Sequence, residues 1–240
     1  DGALAQQVAG LGAYAFFNSL VYAEFSAYRS AQQGVPAPPG PTATGILKGI
    51  APYWRLALQH QWDEHYLEIG TTGMSIKLYP KGVTGTTDNY TDLGFDLQYE
   101  YKFPKSTFKL HPLWFHESQK LNATFASEGS QYKSNTLNSF KLNAELYSDK
   151  GFGATLGYFS VNGSGDEGLY ASADITGSRT GRPNSDGLIA EISYLPWFNT
   201  KFSLQYTMYN KFNGASKNYD GSGRNASDNN TLYLLVWLCF

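Results

Sequence analysis

The eleven residues LGFDLQYEYKF, from Leu93 to Phe103, decide the fold because apolar and polar side chains alternate strictly along them. Successive side chains of an extended chain point to opposite faces, so this stretch presents one apolar face and one polar face. A helical period would mix the two sets. The stretch therefore predicts a β-strand with an apolar environment on one side and water on the other.

The same alternation recurs along the whole chain and predicts about eleven strands. These are residues 7–17, 20–30, 50–61, 65–79, 89–103, 106–122, 132–147, 151–162, 187–195, 200–212 and 231–240. Tight turns at 18–19, 63–64, 104–105, 149–151 and 198–199 alternate with long connections at 32–49, 80–88, 123–131, 163–186 and 213–230. Short turns on one side and long loops on the other are typical of outer-membrane barrels. One domain, residues 1–240, is expected.

Composition narrows the class of protein further. The 240 residues carry 18 basic and 20 acidic side chains, a net charge of −2 that gives no reason to expect a nucleic-acid partner. A run of about 18 apolar residues, as a membrane helix needs, is absent from the sequence. Barrel strands need only about 9 to 11 alternating residues. We therefore expect an all-β protein, a transmembrane antiparallel up-and-down β-barrel in the bacterial outer membrane, with lipid and the barrel-assembly machinery as partners.

Aromatic residues mark the expected membrane boundaries. Trp54 and Trp62 lie at the two ends of one apolar strand face, and Trp197 lies near a tight turn. Amphipathic rings concentrate at membrane interfaces, so these three are candidate interface residues. The chain closes on an amphipathic strand that ends in Phe240, which resembles the insertion signal of Gram-negative outer-membrane barrels.

Strand direction suggests a larger barrel. If the tight turns are periplasmic, both the last and the first of eleven strands run towards the periplasm. A bacterial barrel of one chain has an even number of strands. At least one further strand is therefore expected before Asp1, and these residues are expected to be the C-terminal portion of a longer chain.

Charged side chains gather on the predicted inward faces, where isolated charges are too costly unless they are hydrated or paired. The lumen-facing candidates are Arg55, Glu68, Asp96, Glu100, Lys102, Lys141, Glu145, Glu191, Lys201 and Lys211. One interpretation is an aqueous pore, and the other is an ion-paired network that fills the interior. Their mixed signs argue against a strong preference for cations or anions.

Catalytic and metal sites are not indicated. His60 and His65 flank a tight turn, so a surface metal site is one interpretation, but membrane-interface or turn histidines are the preferred one. His111 and His116 are five residues apart and are predicted on opposite faces of a strand. Neither Gly-rich loop, 163–168 or 220–225, has calcium or phosphate-loop spacing, so both are expected to be mobile external loops. We expect no enzyme activity, no catalytic residue and no metal.

Three segments carry a family resemblance: Ala51–His60, Tyr194–Trp197, and Leu204 through to Leu234. They resemble a group of proteobacterial outer-membrane proteins labelled cytochrome c, similar to the fused cytochrome-porins of iron-oxidising bacteria. In that group a short C-x-x-C-H segment precedes the barrel and holds one c-type haem. This chain has a single cysteine, Cys239, so it matches the barrel portion and supplies no haem attachment.

The resemblance and the barrel pattern together predict a transmembrane conduit. In the leading form the barrel sheathes an upstream haem segment and carries electrons across the outer membrane, with periplasmic electron carriers as partners. A passive diffusion porin for small solutes and a structural or adhesin barrel with a filled lumen are the alternatives.

Overall fold

The computed structural model describes residues 8–32 and 37–239. Phe240, the predicted insertion signal, lies outside the described residues. Twelve strands account for most of the chain: β1 Val8–Phe17, β2 Val21–Ser30, β3 Thr44–Leu47, β4 Ala51–Trp62, β5 His65–Lys81, β6 Asp88–Phe103, β7 Ser106–Lys120, β8 Ser134–Ser148, β9 Phe152–Gly163, β10 Ser185–Trp197, β11 Thr200–Lys211 and β12 Thr231–Leu238. A short helix, α1 Asn122–Ala126, follows β7, and a 3₁₀ turn spans Ala226–Asn229.

All twelve strands belong to one antiparallel up-and-down sheet. Its order is β1-β2-β4-β5-β6-β7-β8-β9-β10-β11-β12, and β3 pairs with the far end of β5. The all-β, up-and-down prediction is confirmed, and the eleven predicted strands match the observed ones to within a few residues. The twelfth strand, β3, lies in a segment that the sequence predicts as a loop, because four residues are too few to show an alternation.

Turn geometry explains the tight connections. Asn18 and Ser19 both adopt positive φ angles, 49° and 52°, and Asp63 has φ 45°. Two-residue hairpins favour such left-handed residues because their twist matches that of the strands. Because every connection reverses direction, the tight turns all lie at one end of the sheet, the short-turn end, and the long loops lie at the other, the long-loop end.

Strand register sorts the side chains into two faces. The apolar face carries many large side chains that are exposed, including Leu11, Phe25, Leu56, Leu58, Ile69, Phe95, Leu156, Ile192, Leu204 and Leu234. Leu11 is 84% exposed and Leu234 is 76% exposed. On the polar face, the side chains of Glu100 and Glu191 are only 16% and 14% exposed. A sheet that curls towards its polar face accounts for this difference.

The two edges of the sheet depart from this pattern. Within the described residues β1 and β12 do not pair with each other, so the sheet is not closed. On these strands the polar face also carries exposed aromatic rings, among them Tyr14, Tyr233 and Trp237. No helix in the described ranges is long and apolar enough to cross a membrane.

Candidate functional site

The most connected group of charges lies on the polar face of β4, β5 and β6. Arg55 donates to both oxygens of Asp96, at 2.5 and 2.8 Å, and to Glu68 at 2.9 Å. Asp96 and Glu68 therefore share one guanidinium. Such charge-assisted, forked hydrogen bonds are the stronger class of polar contact. Tyr66 extends the group, because its hydroxyl lies 2.9 Å from Glu68 and 3.0 Å from Gln59.

Gly70 makes this arrangement sterically possible. Asp96 lies opposite Gly70 in the register between β5 and β6, and Arg55 is on the far side of β5. A Cβ atom at Gly70 would be 2.7 Å from an Arg55 nitrogen and 2.8 Å from each Asp96 carboxylate oxygen. The missing side chain leaves the space through which Arg55 reaches across a whole strand.

Further ion pairs continue around the polar face. Glu100 accepts from Lys109 at 2.9 Å and from Gln98 at 2.7 Å. Lys201 lies 3.0 Å from Glu191, which joins β11 to β10. Like Arg55, these paired charges are partly exposed, with 14–31% of each side chain accessible to solvent.

The other predicted inward charges lie apart from these pairs. Lys102 and Lys141 are exposed, and among the described residues neither takes part in a salt bridge. Lys102 helps to line a cavity of about 190 Å³ at the short-turn end, together with Tyr66 and Glu100. The Glu145 carboxylate accepts a 3.0 Å hydrogen bond from Tyr147.

Lys211 departs from the predicted pattern. A register shift between Asp186 and Gly187 sets Lys211 opposite Asp186, with Nζ 3.9 Å from the carboxylate. Asp186 alternates with Leu188 and lies on the same side as the apolar face. One extra residue in a strand reverses the face of every residue that follows it. The bulge therefore places Lys211 on the side opposite the predicted inward face.

Sequence reasoning missed several residues of the polar face. Lys109 pairs with Glu100 although no motif marks it, and Asp92 and Glu117 face each other across β6 and β7. Asp92 could have been found, because it is four residues from Asp96 and therefore has the same parity on one strand. Glu117 and Lys109 required the register of β7, which the sequence does not show.

Two of the long loops are organised around buried aspartates. Asp166 accepts backbone hydrogen bonds from Gln131, Tyr132, Gly168 and Leu169, and a side-chain bond from Asn135. Burial acts to raise the pKa of Asp166, but these donors together hold the pKa below its ordinary value. In the 212–230 loop, Asp220 accepts from Ser222, Arg224 and Ile175. Both loops, expected to be mobile, thus have an internal framework, in which the carboxylates satisfy backbone donors.

Two of the histidines, His60 and His65, contact the same tryptophan. Both imidazoles stack on the Trp62 indole, with ring centroids 5.6 and 5.1 Å away. The register places His111 opposite Asn143 on the polar face, whereas His116 bonds Asn138 at 2.9 Å on the other face. Across the described residues, no group of three or more histidine, cysteine, aspartate or glutamate side chains is arranged to hold a metal ion.

The three tryptophans predicted at the membrane interface, Trp54, Trp62 and Trp197, lie on the apolar face. Trp62 adjoins the turn at 63–64, and Trp197 adjoins the turn at 198–199 and is 65% exposed. Trp54 lies further towards the long-loop end, where its ring packs over Gly73. Their role as membrane-interface residues stays a prediction.

Comparison with known proteins adds no relative. No family model, no curated protein and no solved structure matches this chain. The resemblance to the cytochrome-linked porins therefore stays a prediction.

Proposed function

We propose that this protein forms the wall of a transmembrane barrel in the bacterial outer membrane, with its polar face lining an aqueous conduit. The observation that carries the proposal is the segregation of the two faces of one up-and-down sheet. The apolar face meets lipid, and the ion-paired face meets water. The class of function is passage across the membrane, with no reaction catalysed by the chain.

The apolar face supports a lipid contact rather than a soluble fold. Burying one Leu or Ile side chain contributes roughly 1.5–3 kcal/mol, and ten such large side chains remain exposed around the outside of the sheet. No second layer covers them within the described residues. Soluble monomers rarely expose apolar surface on this scale, whereas a barrel wall requires it.

The polar face supports a hydrated interior. Its charges are paired across strands but keep about 14–31% of their side-chain surface exposed, so water reaches them. Exposed Lys141 and Lys102 have no salt-bridge partner among the described residues and need water. This favours a conduit over a filled, structural barrel, in which every buried charge must be paired.

The edges of the sheet suggest how the wall is completed. The path from β1 to β12 contains eleven strands that are all antiparallel to their neighbours, so β1 and β12 run in the same direction. Direct pairing would create one parallel ladder in an antiparallel wall. An odd number of further strands between these edges would restore antiparallel pairing and an even total. It would also satisfy edge groups that cannot face lipid.

Conductance in planar bilayers tests the conduit. A cysteine at Glu145, on the polar face, should allow a charged thiol reagent to reduce the conductance in a Cys239→Ser background. The matched control is a cysteine at Leu146, the next residue, which faces the apolar side and should not respond. Stable insertion without any conductance would contradict the conduit and favour the filled barrel.

Cross-linking tests how the wall is completed. Paired cysteines at Ala13 in β1 and at successive apolar-face positions of β12 should give no intramolecular disulfide in the inserted protein. A disulfide at any register would show that the two edges meet directly.

Electron transport through the barrel would need a haem. Cys239 is the only cysteine of the 240 residues, so the C-x-x-C-H attachment is missing and these residues do not fit a covalently bound haem. We therefore derive no electron-transfer step from them. The haem-linked form of the conduit rests on the family resemblance. A c-type absorbance spectrum and an added haem mass in protein isolated from its native membrane would support it.

A further inference from the structure

A second site lies at the long-loop end of the polar face, where the loops cover β5 to β8. It is a cavity of about 520 Å³, which we call the acidic cavity. Eleven residues line it, and the polar ones include Asp92, Glu117 and Gln119. This volume is in the range of small-molecule sites.

Two carboxylates face each other in one wall of the acidic cavity. Asp92 in β6 and Glu117 in β7 are direct cross-strand partners, an arrangement that normally destabilises a sheet because like charges repel. Among the described residues, neither forms a salt bridge. Asp92 Oδ1 is buried and accepts no hydrogen bond from any described residue. The wall therefore carries uncompensated negative charge.

Gln119 supplies an independent indication of a ligand. This residue is only 8% exposed, and its Nε2 donates to Glu117 at 2.5 Å. That bond leaves Gln119 Oε1 buried beside the two carboxylates, with no donor among the described residues. Buried amide oxygens are nearly always hydrogen-bonded. Two buried acceptor atoms in the lining of one cavity, Asp92 Oδ1 and Gln119 Oε1, thus lack a donor among the described residues.

The roof of the cavity is held in place by two other aspartates. Asp88, almost fully buried, accepts from the backbone N–H groups of Ala123 and Thr124 and so fixes α1 over the cavity. Asp166 accepts from Leu169 N, next to Tyr170 in the lining. The acidic cavity is therefore built from ordered elements, and its roof does not depend on the residues that line its acidic wall.

We propose that the acidic cavity binds a small organic ammonium ion with an apolar body. The ammonium group supplies donors for Asp92 Oδ1 and Gln119 Oε1, and a positive charge for the Asp92 and Glu117 carboxylates. Five of the eleven lining residues are Leu or Ile, and these would contact the hydrocarbon part. The Tyr90 and Tyr170 rings add surfaces that attract cations. A hydrated divalent metal fits less well, because Ca²⁺ takes six to eight oxygen ligands and has no use for apolar walls.

Calorimetric titration of the full chain in detergent tests the proposal with three probes. Phenylethylammonium carries both the charge and an apolar body, 2-phenylethanol keeps the body without the charge, and CaCl₂ supplies a cation alone. We expect saturable binding of the ammonium compound, and affinity at least roughly tenfold weaker for the neutral alcohol, because the charged hydrogen bonds are lost. The proposed ligand site is separate from the proposed conduit function, because binding in detergent does not depend on conduction across a membrane.

Two variants and a matched control locate the site. Asp92→Asn and Glu117→Gln should each weaken phenylethylammonium binding roughly tenfold or more. Glu128→Gln removes the same charge from an exposed position just beyond α1 and should leave binding unchanged. The comparison of the three probes uses the unaltered protein, so it still tests the proposed ammonium site if a variant fails to fold. Absence of binding, equal affinity for the alcohol, or preferential binding of calcium would each overturn the proposal.

Discussion

Arg55 in β4 and Asp96 in β6 form a two-pronged ion pair across the full width of β5, directly over Gly70. The two residues are 41 positions apart in the sequence. In the register, a glycine lies between them where a side chain would normally stand. Most cross-strand pairs join immediate neighbours. This one joins second neighbours, and so couples three strands on the polar face through one guanidinium.

Removing the guanidinium should destabilise the sheet. Arg55→Met leaves two partly buried carboxylates without their shared donor, and we expect a loss of about 1–3 kcal/mol in the free energy of unfolding. Lys141→Met is the matched control, because it also removes one cation from the polar face but breaks no ion pair among the described residues. Its free energy of unfolding should change by no more than about 0.5 kcal/mol. Urea unfolding in detergent micelles measures both. Equal losses would show that Arg55 contributes only general charge.

A side chain at Gly70 should act through the same ion pair. Gly70→Val places carbon atoms where Arg55 and Asp96 now meet, so it should displace the guanidinium and destabilise the protein. In a double-mutant cycle, Gly70→Val and Arg55→Met should cost clearly less together than the sum of the single changes. Gly40→Val, at a site with nothing within 4 Å of the added atom, is the control. Strict additivity would disprove the steric role assigned to Gly70.

The same new charge should cost much more stability at one residue of β6 than at its neighbour. Leu97 is on the apolar face and Gln98 is on the polar face, next to Glu100. In the proposed membrane setting, Leu97→Arg should destabilise the barrel by roughly 2–4 kcal/mol if the residue lies near the midplane, and Gln98→Arg should cost much less. Unfolding from lipid vesicles provides the comparison. Similar costs at the two positions would contradict the assignment of the faces.

Asp166 should make the packing of its loop dependent on pH. Its folded-state pKa lies below the unfolded value, because the backbone N–H groups that favour the carboxylate outweigh its burial. The stabilisation is therefore fully present above roughly pH 5 and disappears as the pH falls through the folded pKa. The protection factors of the Gly168 and Leu169 amides, which are corrected for the intrinsic pH dependence of hydrogen exchange, should therefore fall in that acidic range.

The Asp166→Asn variant should lose protection of the same loop amides already at neutral pH. Losing charge-assisted hydrogen bonds worth about 1.5–3 kcal/mol should speed exchange at those amides roughly 10–100-fold. Asp149→Asn, at an exposed position in a short turn, should leave the same amides unaffected. Unchanged exchange in Asp166→Asn would mean that other contacts hold the loop.

The first turn offers a stabilising change. Ser19 has φ 52°, a left-handed conformation that costs a non-glycine residue roughly 1–2 kcal/mol. Ser19→Gly also creates the Asn-Gly pair that this hairpin favours, so we expect a gain of about 0.5–1 kcal/mol after the greater chain entropy of glycine is subtracted. Ser106→Gly, at the start of β7, should instead destabilise the protein. The sign of the two shifts in thermal unfolding decides the point.

Local alternation was enough to predict the strands and their faces. The period of two in residues such as Leu97 and Gln98 is a property of the extended backbone, so it can be read without knowing any partner. The tight turns were equally visible, because Asn18-Ser19 and Asp63-Glu64 are short and polar between long alternating runs. The strand order could be predicted as well, because consecutive strands joined by short connections pair with each other.

Register and bulges are set by the assembled sheet, and they decide which charges meet. The Arg55 contact with Asp96 requires the alignment of three strands, and the opposition of Asp92 and Glu117 requires the alignment of two. The bulge that moves Lys211 beside Asp186 breaks the alternation on which the sequence prediction relied. The loop framework at Asp166 joins segments 35 residues apart. Alternation predicts the face on which a side chain lies. The partner of that side chain depends on long-range hydrogen bonding between strands. The acidic cavity could therefore be found only from the folded structure.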